Sequence, residues 1–383
     1  MDKKPAVCLI YEFLSEQGGL EREIINHARF FQDNGFSVKI LTCHLDKNIL
    51  DLLPFEGLKV EEISIIKTPF ESFNLMFCMI GFNKMNKYNP DLFFSYSFPS
   101  NYIIRNKKSK KINYVNHYPH FIYLKNEELD EWKNSTQGVK REFAAFLGKI
   151  FNRYFIKLDK KLIKLCDLLF MNSKFTQGRL DKLYNTRSIV SYPPLDKAFS
   201  NVKPTIIKEK YIFSSSRIIP DKKYEWLIGS VSLMKNKLPI YLAGSVDKDY
   251  KIKLMKYSKE KKVVLKFLGR LKTNEIINYY ASAQVFAFPT PREDFGLVPA
   301  ESLSCGTPVV AWGDGAGPCE QIIDGENGYL AKPYELKDFA LKLDLILNSN
   351  LKTKNKINII KSSQIFSYDN IKLQFMKEIN NII

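Results

Sequence analysis

Glu293 and Glu301 stand eight positions apart in the stretch QVFAFPTPREDFGLVPAESLSCGTPVVAWGDGAGPCEQIIDGENGYL, which runs from residue 284 to residue 330. The stretch has the pattern of a buried strand, a loop, a short helix, a second buried strand, a glycine-rich loop and another helix start. Val285–Phe288 would carry the chain to a sheet edge, where Pro289, Thr290 and Pro291 turn it. Asp294, Phe295, Gly296 and Leu297 then lead into a helix that Gly306 ends. The unpaired N–H groups and positive dipole end of such a helix face Glu293. A diphosphate or sugar hydroxyls can take those donors, and Gly296 lets them come close to the backbone. Glu301, on the helix itself, suits a vicinal diol such as a ribose. Two glutamates alone would be surface charge. The apolar strand, proline turn and glycine around these two favour a site that holds a sugar nucleotide.

Other clusters carry weaker chemistry. Arg217 and Lys222, five apart, follow the apolar run YIFSS. They can stabilise the charge on a leaving phosphate without a metal, or be solvated loop charges. Asp247 and Asp249 form a D-x-D in a polar loop, read as surface rather than as a metal site. His117 and His120, two of the four histidines, lie just past the apolar run ending at Val115. A strand end of this kind is where open α/β sheets bind ligands, though it also tolerates polar residues with no function. No third ligand accompanies the two histidines, so no metal is expected. Gly18 and Gly19 sit at the first turn of a βαβ unit, where a backbone can approach phosphate or simply turn.

The elements that position these residues repeat. Ala6 to Tyr11, a helix from Leu20 to Asn34 and a strand from Phe36 to Thr42 form the first βαβ unit, with further strands at 60–66, 92–96 and 111–115. A double proline in SYPPLD closes this half near Tyr192, and a second α/β half begins at Tyr211. The expected fold is α/β, two Rossmann-like doubly wound domains facing across a cleft. The first covers residues 1–195, the second 205–365, and a last helix over 366–383 is expected to pack back on the first domain. Its 383 residues exceed one core of ordinary size.

The composition, 45% hydrophobic and 26% charged, excludes a disordered chain. The net charge of +17 points to an anionic partner or to a Lys- and Ile-rich genome bias. Six scattered cysteines without a C-x-x-C fit a reducing compartment. No apolar run approaches the ~20 residues of a membrane span, and the N-terminus reads as a strand rather than a signal peptide. The expected location is cytoplasmic, with peripheral attachment to the membrane as a further expectation. That expectation comes from residues 139–166, where Phe143, Phe146, Leu147, Ile150, Phe151, Tyr154 and Phe155 interleave with basic residues. Such a helix can rest on an anionic bilayer or pack in the core with a solvated basic face.

Taken together, these residues resemble the family-four retaining glycosyltransferases of the GT-B fold, over nearly the whole chain. PREDFGLVPAESLSCGTPVVAW is similar to that family's signature of a glutamate, seven residues and a second glutamate. Arg217 to Lys222 resembles its R-and-four-then-K element, SYPPLD its linker, and Gln17-Gly18-Gly19 its N-terminal glycine turn. NHYPHF resembles the histidine loop of lipid-linked-oligosaccharide and O-antigen mannosyltransferases. Ser216 and Lys223 depart from it where glycines are usual, and Tyr118 where many members have Asp.

The resemblance implies that Glu301 holds the ribose. Arg217 and Lys222, with Gly18 and Gly19, bind the donor diphosphate. Glu293, with Asp294, Phe295, Gly296 and Leu297, binds the donor sugar, and His117 and Glu293 act at the reacting centre. It implies no metal and no resident cofactor. The partners would be a nucleotide sugar, GDP-mannose first, and a glycan or lipid-linked acceptor. UDP-glucose or UDP-N-acetylglucosamine is the alternative donor. A sugar-nucleotide epimerase is a further alternative. A basic nucleic-acid-binding protein is disfavoured, because no such motif accompanies the lysines.

Overall fold

Alternate residues of the apolar runs face opposite sides of two parallel sheets, which is why those runs read as nearly continuous rather than alternating. The computed structural model describes residues 4–15, 18–117, 119–124, 139–200, 202 and 204–383. The chain divides into one unit of Met1–Pro194 with Lys372–Ile383 and a second of Leu195–Ile371.

The first unit contains β1 (Ala6–Leu14), β2 (Ser37–Leu45), β3 (Lys59–Glu62), β4 (Leu92–Tyr96), β5 (Lys110–Val115), β6 (Leu168–Met171) and β7 (Ile189–Val190). They pair in the order β3-β2-β1-β4-β5-β6-β7, all parallel. The order reverses between β1 and β4. Helix Gly19–Asp33 covers one face, with Ile24, Ile25, Ala28 and Phe31 buried. These are the positions that a helical period places on one side. Its His27 is also buried, stacked on Phe375 of helix Tyr368–Asn380 with ring centroids 4.8 Å apart. Lys372 Nζ, at the start of that segment, meets Asp33 Oδ2 at 2.6 Å.

The second unit contains β8 (Ile212–Ser215), β9 (Ile240–Ala243), β10 (Leu265–Gly269), β11 (Val285–Phe288), β12 (Val309–Trp312) and β13 (Gly328–Ala331), parallel in the order β10-β9-β8-β11-β12-β13. Ile212, Leu242, Val285, Ala287, Val310 and Trp312 build the core on one face. Phe213, Tyr241, Phe286, Phe288 and Ala311 build it on the other. The two-residue period of a strand makes this division.

Three local readings are corrected. The helix start expected after the glycine-rich loop is a single 3-10 turn, Gly317–Glu320, and the chain then returns to the sheet as β13. The turn residues at 324–328 mark the entry to that edge strand. The loop expected around Asp247 begins a helix, Lys248–Glu260, whose first turn Asp247 caps by accepting from Tyr250 N at 2.8 Å. The long basic helix runs Val139–Lys164 and breaks at Phe151, where φ is −112° and ψ is 18°. All six thiols are free.

Candidate active site

β8 and β11 are neighbours where the strand order of the second sheet reverses, the position at which open parallel sheets bind ligands. Their C-terminal loops therefore meet. After β8, the 3-10 turn Pro220–Lys222 ends in Lys222, whose Nζ donates to Glu293 Oε2 at 2.6 Å. The two side chains are only 17% and 26% exposed, so this is a charge-assisted contact partly shielded from water. Sequence reasoning gave Lys222 and Glu293 separate roles; the fold brings them into contact. Arg217 lies in the same loop, its carbonyl accepting from Ser216 Oγ at 3.0 Å. Lys223 follows in the left-handed region, φ 52°, a conformation that costs a residue with a Cβ roughly 1 kcal/mol. The site accepts that cost where the resembling family uses glycine.

The loop after β11 is clamped from the end of β12, the next strand along, and from the loop that follows it. Trp312 Nε1 donates to Pro289 O at 2.7 Å, and Gln321 Nε2 to Phe295 O at 2.7 Å and Gly296 O at 3.0 Å. Asp314 Oδ2 accepts from Arg292 N at 2.8 Å, and Glu293 O accepts from Gly317 N at 2.9 Å. A Cβ on Gly317 would stand 2.3 Å from Phe295 Cα, so only glycine lets the two loops touch here. Glu293, Asp294, Phe295 and Gly296 thus sit on a rigid platform. Sequence reasoning missed Gly317, Asp314 and Gln321. The run GDGAG directly after an apolar strand was the available signal.

Helix Leu297–Ser304 opens from Gly296, which takes φ 76°, and presents its first-turn amides beside that platform. Glu301 is 4% exposed. Its Oε2 accepts from the Tyr280 hydroxyl at 2.8 Å, and that hydroxyl lies 2.6 Å from Ser215 Oγ at the end of β8. Burial, followed by the neighbouring Glu301 charge, lifts the Tyr280 phenol far above its ordinary range, so it stays protonated and donating. Glu301 is therefore a buried, oriented acceptor.

The first unit holds the remaining residues. Gly18 starts helix Gly19–Asp33, and its N–H is taken by Glu21 Oε2 at 3.0 Å. Gln17 and Tyr118 lie outside the described residues. β5 delivers Asn116 and His117; His117 is exposed, while Asn116 Nδ2 donates to Glu23 Oε2 at 3.0 Å. The side chain of His120 lies outside the described residues, as do those of Phe143 and Leu147 in the basic helix. Glu12, at the end of β1, accepts from Ser100 Oγ, and burial pushes its carboxyl up to about 7. Among the described residues no group of three or more His, Cys, Asp or Glu side chains is placed to hold a metal.

Comparison with known proteins follows this division. The model of Glycosyltransferase Family 4 matches residues 17–198, and that of Glycosyl transferases group 1 matches residues 196–363. An uncharacterized glycosyltransferase of Haemophilus influenzae is 23% identical over 52% of this chain and 57% of its own length, so the match spans just over half of that relative. The uncharacterized glycosyltransferase MJ1178 of Methanocaldococcus jannaschii is 26% identical over 76% of this chain and 75% of its own. Among solved structures, Anabaena Alr3699/HepE in complex with UDP and glucose superposes with a TM-score of 0.76 at 18% identity, covering 98% of this chain and 100% of that one. With both family models matching end to end on two parallel-sheet units of this topology, the chain belongs to the glycosyltransferases of the GT-B fold, a Family 4 domain followed by a group 1 domain.

Proposed function

We propose that the enzyme is a retaining hexosyltransferase that moves mannose from GDP-mannose to a lipid-linked or polysaccharide acceptor. The observation that carries the donor half of this reading is the Lys222–Glu293 contact at the reversal point of the second sheet, with Glu301 buried on the helix that opens beside it. Arg217 and Lys222 take the diphosphate, Glu301 the ribose, and Glu293 with the Asp294–Leu297 backbone the sugar hydroxyls. Gly18 and Gly19 offer backbone donors to the diphosphate, and His117 acts at the reacting centre. In transfer, the bond from the anomeric carbon to the phosphate oxygen breaks and the acceptor oxygen attaches on the same face. The acceptor proton passes to the departing phosphate, whose new charge the two cations meet. The reading needs no metal or resident cofactor.

Mannose is favoured by the NHYPHF loop, which resembles that of mannosyltransferases. UDP-glucose is the second reading, because HepE, which shares this fold, is known with UDP and glucose. Product analysis with GDP-mannose, UDP-glucose and UDP-N-acetylglucosamine over a panel of acceptors decides between them. An inverted anomer in the product would remove the retaining mechanism, and no hexose transfer from any donor would remove the reading.

The acceptor half includes a membrane surface. Among the described residues no helix is long and apolar enough to cross a membrane. Phe146, Ile150, Phe151 and Tyr154 are nonetheless exposed on the basic helix of the first unit, beside exposed Arg153, Lys157 and Lys161. Phe70, Phe73, Met76 and Ile80 are exposed on and around helix Glu71–Met79 of the same unit. Rings beside lysines suit the headgroup region of an anionic bilayer. Co-sedimentation with anionic vesicles should weaken as salt rises; no binding at low salt would refute the membrane part.

A further inference from the structure

Helix Gly19–Asp33 turns a glutamate into the protein: Glu23 is 3% exposed, one helical turn before the fully buried His27. Its Oε2 is held by Asn116 Nδ2 at 3.0 Å. Its Oε1 is buried with no hydrogen-bond partner among the described residues, and so is Asn116 Oδ1. Burial pushes this carboxyl up to about 7. A half-satisfied buried acid is costly, and an apolar side chain of similar size would pack here at lower cost. Glu23 grips Asn116 as no apolar residue can, and the neighbouring Tyr114 hydroxyl also favours its carboxylate.

Asn116 is the first residue beyond β5, and the next residue is His117. Where β5 stops, ladder hydrogen bonds no longer fix the backbone, and the described partner of the Asn116 side chain is Glu23, 93 positions away in sequence. We propose that Glu23 is a positioning residue for the transfer reaction: through Asn116 it fixes the backbone from which His117 projects. This rests on the assignment of His117 to the reacting centre. It assigns no contact with substrate to Glu23 itself. Its effect belongs on turnover, since a reacting group displaced by about an ångström can cost on the order of a hundredfold in rate. Donor binding, which the reading places on side chains of the second unit and on the Gly18 and Gly19 backbone, does not use the Glu23 side chain and is left as it was.

The test uses the full-length enzyme with its best donor, measuring kcat, the donor KM and the thermal shift given by the nucleoside diphosphate. Glu23→Leu and Asn116→Ala should each lower kcat by roughly ten- to a hundredfold with the donor KM and nucleotide shift unchanged. Glu23→Gln, which keeps an acceptor for Asn116, should recover most of the loss. In a His117→Ala background Glu23→Leu should cost nothing more, whereas a merely structural role would lower activity equally in both backgrounds. If Glu23→Leu does not fold, Asn116→Ala and its combination with His117→Ala carry the same comparison from the other end of the tie. Full kcat in Glu23→Leu or Asn116→Ala, beside an inactive His117→Ala, overturns the inference and leaves the His117 assignment standing. Full kcat in His117→Ala overturns that assignment and the inference with it.

Discussion

Replacing Glu293 by Gln removes the anion that Lys222 holds while keeping the shape of the side chain. In the structure, Lys222 Nζ is already engaged at 2.6 Å, so an incoming diphosphate competes with Glu293 for the same ammonium. A hydrogen bond to a charged group contributes about 1.5–3 kcal/mol, and the remaining exposure of both side chains lowers this to roughly 1–2 kcal/mol. Because about 1.4 kcal/mol is a factor of ten, Glu293→Gln should tighten binding of a bare nucleoside diphosphate by on the order of five- to thirtyfold. The same substitution removes a carboxylate assigned to the donor sugar, so transfer should fall by on the order of a hundredfold or more. Titration calorimetry with GDP and UDP, at two salt concentrations, reads the first effect, and a turnover assay the second. Weaker or unchanged nucleotide binding in Glu293→Gln would refute the competition argument. Unchanged turnover would remove Glu293 from the catalytic assignment.

Gly317→Ala should be disproportionately harmful, since its Cβ would be driven to 2.3 Å from Phe295 Cα; we expect about 2–3 kcal/mol of lost stability and near-complete loss of transfer, measured by urea unfolding and turnover. Tyr280→Phe removes the donor to buried Glu301, and a loss of about 1–3 kcal/mol in unfolding free energy with weaker nucleotide binding is expected. Stability should depend on pH in two opposite ways. Burial lowers His27 to about 3, so the unfolded chain binds its proton first, and this histidine costs stability as pH falls from about 6.5 to 3, by about 1.4 kcal/mol per unit. Burial raises Glu23 to about 7, so the folded chain binds that proton first, and this glutamate adds stability as pH falls from about 7 to 4.5. Unfolding curves of wild type, His27→Phe and Glu23→Gln across pH 3 to 8 separate the two; a wild-type-to-variant difference that is flat across its window would refute the corresponding assignment.

Much of the fold was legible because its signals are local. Continuous apolar runs of four to six residues announced strands buried on both faces, and a glycine turn before a periodic helix announced the first βαβ unit. Glu293 to Gly306 could be read as loop, helix and stop because proline, glycine and capping preferences act within a few residues. β13 was missed for the same reason: GYLA is too short to show a period and is surrounded by turn residues. Helix Lys248–Glu260 was missed because its polar surface looked like a loop.

The sequence alone therefore determined two α/β halves and the strand–loop–helix that presents Glu293 and Glu301, the residues proposed to hold the donor. Tertiary structure decided the partnerships. Lys222 meets Glu293 across 71 positions because β8 and β11 are adjacent where the strand order reverses. Gly317 and Gln321 hold the Glu293 loop because β12 lies beside β11. Glu23 reaches Asn116 because helix Gly19–Asp33 packs that face against the sheet. Side-chain period records only which face of its own element a residue occupies; which loops become neighbours is set by the order in which strands pair, and no local pattern carries that order.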